Sequence, residues 1–590
     1  MPVPKPVPHI LAVCLLFLGE QTRISPDSIA AEQTSRDGLA PARVLVEIRD
    51  QDASLVPARL YLDDGDGSTT TPPGLLAYHK GKEHHFIGPG SFEMELSPGV
   101  HTLLAERGTE YLPDSTRIDA LSGRKTKVTV HLRRWISMNR HGWYSGDLHN
   151  HRPLEEVPAL LLAEDLNIAP TLTDWIWEDR PRSAPPQTSE SIRRVDLNHY
   201  YSVLDKEVER LEQGPGAVDL LGLRSIIPFS GYRLYPPSDV YCHLAHAQGG
   251  YVDAEKILWR DAAALVALGH IDFAGIVHNH FNRHGVELET DKWGMIPKYR
   301  PEFNTVAGMP LWSMDVYYRW LNCGFRLPVS AGSASGVKAS PLGYNRVYVK
   351  VAGPLSYEKW FESLKAGRSF ATNGPMLFFT VDGKELGSVL QFDGGKSQRV
   401  KIRAEAVSPR PLDRMEIIFR GRILKTMRDD ARKQTAGARR QEAGSRRQEA
   451  GSRQQEAGRQ QLANGENTKE AKNPARLVTE FEIDISETGG LRRAVSSGLV
   501  KRYALRIPVP FIFSSGRAPQ FHPKMPGSLS TGSTVKLIST KKKPGSEIPV
   551  IEKKCWRFFR KRELYTRSCC VEKLSNEIRT GPVMARAESC

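Results

Sequence analysis

The chain has 590 residues, 40% hydrophobic and 25% charged, with a formal net charge of +15. That length predicts three or four domains of about 100–200 residues each, and the composition excludes a polytopic membrane protein and a wholly disordered chain. The charge belongs to one end: residues 491–590 carry 21 Lys and Arg against 6 Asp and Glu, the whole excess, whereas residues 137–350 carry 21 basic against 25 acidic residues and make a poor phosphate-backbone binder.

The first segment has a short basic start and an apolar run, Ile10–Gly19. Spanning a bilayer takes about 20 apolar residues, so this run is too short. Ser28-Ile29-Ala30 offers small residues where a signal peptidase reads. Residues 1–30 are therefore predicted to be a signal peptide, and the protein to be secreted or periplasmic. No membrane span is expected beyond it.

Residues 42–135 predict a small β-sandwich. Ala42–Arg49 and Ala58–Leu62 alternate, and Asp63–Gly67 and Ser97-Pro-Gly99 are turns. Residues 137–375 change character. Leu154, Val157 and Leu161 fit a helix face, and Ile168–Thr173 reads as a buried strand, a rhythm that argues for alternating strands and helices. From 376 to 490 strands return (Leu377–Val381, Val400–Ala404, Met415–Phe419). They are interrupted over 428–475 by a seven-residue repeat, Arg439–Ser445, with no apolar position. That repeat excludes a coiled-coil seam and predicts a solvated, disordered insert. Leu477–Ile483 reads as a strand that resumes the domain. Residues 491–590 are expected to be a disordered basic tail; a nucleic-acid or membrane-surface segment and a frame-shifted end are the other readings. Of seven Cys, four lie in that tail and none forms a CxxC pair, so neither a thiolate zinc knuckle nor a disulfide framework is supported.

Ten of the 17 His fall between 141 and 284. In Ser145-Gly-Asp-Leu-His-Asn-His151, strand alternation places Asp147, His149 and His151 on one face, the beginning of a divalent-metal site. The bland alternative is a polar rim of hydrogen-bonded His. Asp174 ends the next strand, as a ligand or as a helix cap. Tyr241–His246 precedes Gly249-Gly250, and Gly275–His280 ends in a second HxH, with His278 and His280 on one face and Asn279 on the other. Asp253 and Glu255 are further carboxylates or first-turn helix charges. Ser330–Gly336 is a tight loop that could also touch an anion. Walker A, strand-linked GxGxxG, HExxH and GxSxG patterns are all missing.

Gly146–His151 followed by Leu172-Thr-Asp174 resembles the opening of the PHP (polymerase and histidinol phosphatase) superfamily, in particular its CehA/McbA-type metallohydrolases. Leu327–Gly332, Gly343–Tyr348 and Gly367–Pro375 add to the likeness, which covers about 42–420. The resemblance implies a multidomain α+β protein: a central (β/α)7 barrel flanked by N-terminal and C-terminal β-sandwich domains. It implies up to three divalent ions (Zn, Mn or Fe), and hydrolysis of a small-molecule phosphoester or carboxyl or carbamate ester. By position, His149, His151, Asp174 and His246 would be ligands and Glu207 the bridging acid; His280 is a further candidate without a family counterpart. Asp147 would orient a ligand His or accept a proton, and Arg283 or Arg346 would hold an anionic substrate group.

The sequence departs from the family in three places. Asp174-Trp175 replaces the usual Asp-His, Gly332-Ser-Ala-Ser-Gly336 replaces Gly-Ser-Asp-x-His, and Ala217 stands where a further His is expected. Two functions follow: an exported metal-dependent hydrolase, or a catalytically degenerate binding or structural module with a partial metal site. Nucleic-acid binding is not expected of the folded part.

Overall fold

A computed structural model describes residues 39–64, 70–210, 216–231, 235–288, 293–393, 399–428, 474–484, 502–506 and 511–512. All of them belong to one compact unit, which runs to Lys524. The leader, the repeat at 439–459 and the end of the basic tail lie outside the described residues.

The N-terminal part is built from two antiparallel-rich sheets around one core. Strands Ser91–Leu96, Ala42–Arg49 and Lys125–His131 form the first; Leu76–Lys80, Glu83–Gly88, Ala58–Asp63, Gly99–Glu106 and Asp114–Ala120 form the second. Alternation sorts the side chains: Ala42, Val44, Val46 and Ile48 are fully buried and meet Leu60, Phe86 and Leu103 of the facing sheet.

The central part is not the (β/α)7 barrel expected from the sequence. Among the described residues the chain is predominantly strand with five α-helices, and its sheets stay open. One seven-stranded sheet runs Ile192–Arg194, Tyr200–Ser202, Ile168–Ala169, Trp143–Gly146, Arg346–Lys350, Ser369–Thr372, Phe511–Ile512. A five-stranded sheet runs Arg180–Pro181, Leu172–Trp177, Asp205–Arg210, Gly216–Leu221, Tyr251–Asp253. A barrel of this kind needs each strand to run parallel to the next through a crossover helix. Here Asp205–Arg210 turns straight back into Gly216–Leu221, and Trp143–Gly146 lies antiparallel to Arg346–Lys350. The strand expected over 168–173 is also divided. Pro170 offers no N–H to a ladder, and the chain passes there from the seven-stranded sheet to the five-stranded one. Two crossover units do exist: Trp143–Gly146, helix Val157–Ala163, Ile168–Ala169; and Ala274–Val277, helix Gly308–Asn322, Val329–Ala331.

Towards the C-terminus, Lys384–Glu385, Met376–Val381, Arg399–Ser408 and Ala475–Asp484 form an antiparallel sheet, so the chain on either side of the insert pairs directly. The tail expected to be disordered contributes two strands: Arg502–Arg506 pairs with Val389–Asp393, and Phe511–Ile512 with Ala371–Thr372. No described helix is long and apolar enough to cross a membrane.

Sandwich and central part are joined by buried ion pairs. Arg59 donates to Glu106 at 2.5 Å and also to Glu164. Arg134 spans Glu110 and Asp165, both at 2.8 Å, and His284 Nε2 meets Glu83 at 2.7 Å. Of the two arginines expected to bind substrate, Arg283 belongs to this junction and Arg346 braces the central part. Arg283 donates to Glu106 at 2.8 Å. Arg346, fully buried, spends its guanidinium on the carbonyls of Gly343, Glu164 and Asp165. Burial alone pushes the Glu106 carboxyl up, but Arg283 and Arg59 outweigh it and bring it down to about 2.

Candidate metal centre

His149 and His151 do not sit on a strand. The strand Trp143–Gly146 ends before them, and the segment that follows lies against 331–336. Leu148 N–H donates to Ala331 O at 3.0 Å, Ala334 N–H to His149 O at 2.8 Å, and His151 N–H to Ser335 O at 2.8 Å. Glycine makes this approach possible: a Cβ on Gly332 would stand 2.4 Å from the His149 Cβ, and one on Gly336 2.7 Å from the His151 carbonyl oxygen. The Gly/Ser-rich loop is therefore a backbone cradle for the histidines. Tyr78 of the sandwich ties that cradle down. Its hydroxyl accepts from Gly336 N–H at 2.9 Å and donates to Lys338 O at 2.7 Å.

Local alternation survives in the cradle, and the two rings converge. His149 Nε2 and His151 Nε2 lie 2.9 Å apart; Glu207 Oε2 is 3.0 Å from His151 Nε2, and Glu207 Oε1 is 3.8 Å from His149 Nε2. A cation about 2.1 Å from two ligand atoms sets them about 3.0 Å apart at a right angle and about 3.4 Å apart at the tetrahedral angle. The spacing matches, and these three side chains form a group that can hold a metal ion.

The charge of the surroundings agrees. In the five-stranded sheet Glu207 pairs directly with Asp219, and Asp219 with Asp253, so three carboxylates stand in one row across three strands. Like charges directly opposite are unfavourable. Burial, with Glu255 adding to it and His149 opposing, raises Glu207 to about 7. Burial followed by Glu207 and Glu255 raises Asp219 well above the carboxylate range, and burial raises Asp253 to about 7. Glu207 Oε2 and Asp219 Oδ1 are buried without a hydrogen bond. Each such orphan costs about 1–3 kcal/mol, and a cation held by His149, His151 and Glu207 would relieve the one on Glu207.

Glu255 is the ionised member of the cluster. Burial works against its charge, but Lys256 and His149 hold it far below the ordinary range. It also accepts from Trp259 Nε1 at 2.7 Å and Asn279 Nδ2 at 3.0 Å. Its φ of 54° is left-handed, and Gly275 makes room: a Cβ there would come within 2.0 Å of the Glu255 carbonyl oxygen. Glu255 Oε1 lies 3.3 Å and Asp219 Oδ2 3.5 Å from His149 Nδ1. A proton on Nδ1 faces these acids, which leaves Nε2 bare toward Glu207 and His151, the arrangement that orients a ligand imidazole.

The other expected ligands are placed elsewhere. Asp174 shares its sheet face with Lys206 and receives Lys206 Nζ at 2.6 Å. The next residue, Trp175, takes the register beside Glu207 and lays its indole 5.0 Å from the His151 ring. His246 Nε2 meets Asp272 at 2.8 Å on helix Ser238–Ala247. His280 Nδ1–H donates to Glu287 O at 2.8 Å, and it is Asn279, expected to face away, that reaches the cluster through Glu255. Asp147 takes the amides of His149 (3.2 Å), Ser333 (3.0 Å) and Gly343 (2.7 Å), tying three segments together. Ala217 faces Glu209 in the sheet. Asp219 escaped sequence reasoning; the only signal was an acid inside the buried run Gly216–Leu221.

No family model matches the chain, and no curated protein does. Three solved structures share small parts with it. GBS52, a minor pilin of Streptococcus agalactiae, is 12% identical over 17% of this chain and 47% of that one, at a TM-score of 0.14. The Bacillus anthracis TIE protein is 8% identical over 19% and 18%, at 0.13. A leucine-rich repeat protein from Bacteroides thetaiotaomicron VPI-5482 is 10% identical over 19% and 14%, at 0.11. The chain thus spans less than half the length of each, and scores this low carry no argument about fold or function.

Proposed function

We propose that the protein is an exported metal-dependent hydrolase of small-molecule esters, with one divalent ion held by His149, His151 and Glu207. The observation that carries the reading is the convergence of two imidazole nitrogens 2.9 Å apart on a carboxylate with an unsatisfied, buried oxygen. Two nitrogens and an oxygen suit Zn, Mn or Fe. Such an ion would supply Lewis acidity and would lower the pKa of a bound water to about 7. The chain's own residues hold and aim the ligands: Glu255 and Asp219 orient His149, Asp147 and Ser335 fix the backbone of the HxH segment, and Trp175 shields His151. The likeness of Gly146–His151 and Leu172-Thr-Asp174 to the PHP opening supports hydrolysis, and it stands without the family's barrel.

A second reading, a metal-binding module without turnover, is favoured by the enclosure of the site: His149 is 4% and Glu207 3% exposed, and Trp175 stands where the family carries a histidine. Turnover of generic phosphodiester and carboxyl-ester substrates by metal-loaded protein decides between them. Hydrolysis by the wild type that disappears in Glu207→Gln supports the enzyme; bound metal with no turnover of either class supports the module.

A further inference from the structure

We propose a second, solvent-facing metal site at His79 and His84, which uses no residue of the buried centre and does not depend on the hydrolase reading. The two residues face each other directly across the antiparallel strands Leu76–Lys80 and Glu83–Gly88, joined by the turn at Gly81 and Lys82. Directly opposed side chains in such a pair have Cβ atoms about 4.5–5.5 Å apart, close enough for two imidazoles to grip one ion. The ring centroids are 5.2 Å apart, and His79 Nδ1 lies 3.0 Å from His84 Nδ1.

The outer nitrogens determine what occupies that gap. His84 Nε2 lies 2.8 Å from Gly81 O. A carbonyl only accepts, so Nε2 carries the proton and the His84 Nδ1 lone pair points inward. His79 Nε2 lies 3.3 Å from Thr71 Oγ1, a hydroxyl able to accept from it. With the His79 proton on that side, two lone pairs meet 3.0 Å apart. Only a proton or a cation stabilises that contact. A metal ion takes the place of the shared proton, which moves to His79 Nε2 and is kept by Thr71. An outer N–H donated to a carbonyl or hydroxyl is the usual second-sphere support of a ligating histidine. The spacing corresponds to ligands about 90° apart at about 2.1 Å, which suits square-planar or octahedral Ni(II) or Cu(II).

Equilibrium dialysis of the full chain against nickel(II) tests the site, with His79→Gln and His84→Gln compared with the wild type; circular dichroism checks that each variant is folded. Other ligands in the chain contribute equally to all three proteins and cancel. The wild type is expected to hold one more equivalent than either variant, with affinity at that site at least about tenfold weaker in each. With copper(II), the electron paramagnetic resonance spectrum of the wild type minus that of either variant should show a signal with two imidazole nitrogens, the contribution of the buried centre cancelling in the difference. Equal nickel uptake by all three proteins, or unchanged copper spectra, would overturn the proposal and leave the pair as a proton-sharing contact.

Discussion

The sandwich junction and the HxH centre are equally buried, yet their charges are arranged in opposite ways. At the junction the acids are matched by cations or imidazoles: Arg59 and Arg283 on Glu106, Arg134 on Glu110 and Asp165, Arg107 on Asp165, His284 on Glu83. At the centre Glu207, Asp219, Asp253 and Glu255 crowd together, and Lys256 is committed to Glu255. A buried network whose charges cancel holds two parts of a chain together. One left with excess acid is either protonated or waiting for a cation. The difference separates a structural ion-pair cluster from a candidate metal site without reference to any relative.

Breaking the junction should have the largest effect. Arg59→Ala leaves Glu106 and Glu164 short of a buried partner and should cost about 3–5 kcal/mol in chemical denaturation; a loss within about 0.5 kcal/mol, the range of ordinary surface changes, would show that the network is not structural. Next comes a contrast of sign. At neutral pH Asp219→Asn should stabilise the metal-free protein by about 1–2 kcal/mol, since it removes a buried carboxyl that is raised well above its ordinary range and must stay protonated to fold, and should weaken metal binding. Glu106→Gln should destabilise. If both substitutions shift stability the same way, the contrast is wrong.

Proton linkage sharpens it further. Glu106 is lowered to about 2, so its stabilisation is complete above about 4.5 and lost as pH falls through about 2. Glu207 and Asp253 are raised to about 7, so the metal-free protein is favoured below the ordinary carboxylate range and loses stability as pH rises through about 7. Saturating metal should remove that loss, which falls between about pH 4 and 7, and melting curves from pH 4 to 8 with and without zinc would reveal it. The smallest effect belongs to Tyr78→Phe. It strips the cradle of one donor and one acceptor and should cost about 1–2 kcal/mol, with a few-fold loss of metal affinity read by competition with a chelating dye.

Much of the N-terminal sandwich could be read from the sequence, because alternation over 42–49 and 91–96 assigns faces directly. The histidine pair was legible for the same reason, although the segment proved to be a backbone-paired cradle and no strand. What failed depended on register and connection. Asp174 and Trp175 differ by one position, and only the pairing of Leu172–Trp177 with Asp205–Arg210 decides which stands beside Glu207. The strand–helix rhythm spoke only for alternating strands and helices, and the barrel came with the family resemblance; the link at 211–215 is too short for a crossover helix, and Gly216–Leu221 pairs antiparallel with Asp205–Arg210. Arg283 and Arg346 carried no sign of their distant partners, the Glu106 carboxylate 177 residues away and the Glu164 carbonyl 182 residues away.

The central claim is that one cation belongs between His149, His151 and Glu207. Anomalous diffraction from crystals of protein grown with zinc or manganese and never exposed to chelator tests it most directly. The account expects one strong peak about 2.0–2.2 Å from both Nε2 atoms and a Glu207 oxygen. A difference map with no peak there, the two imidazoles sharing only a proton while metal sits elsewhere or nowhere, would contradict it.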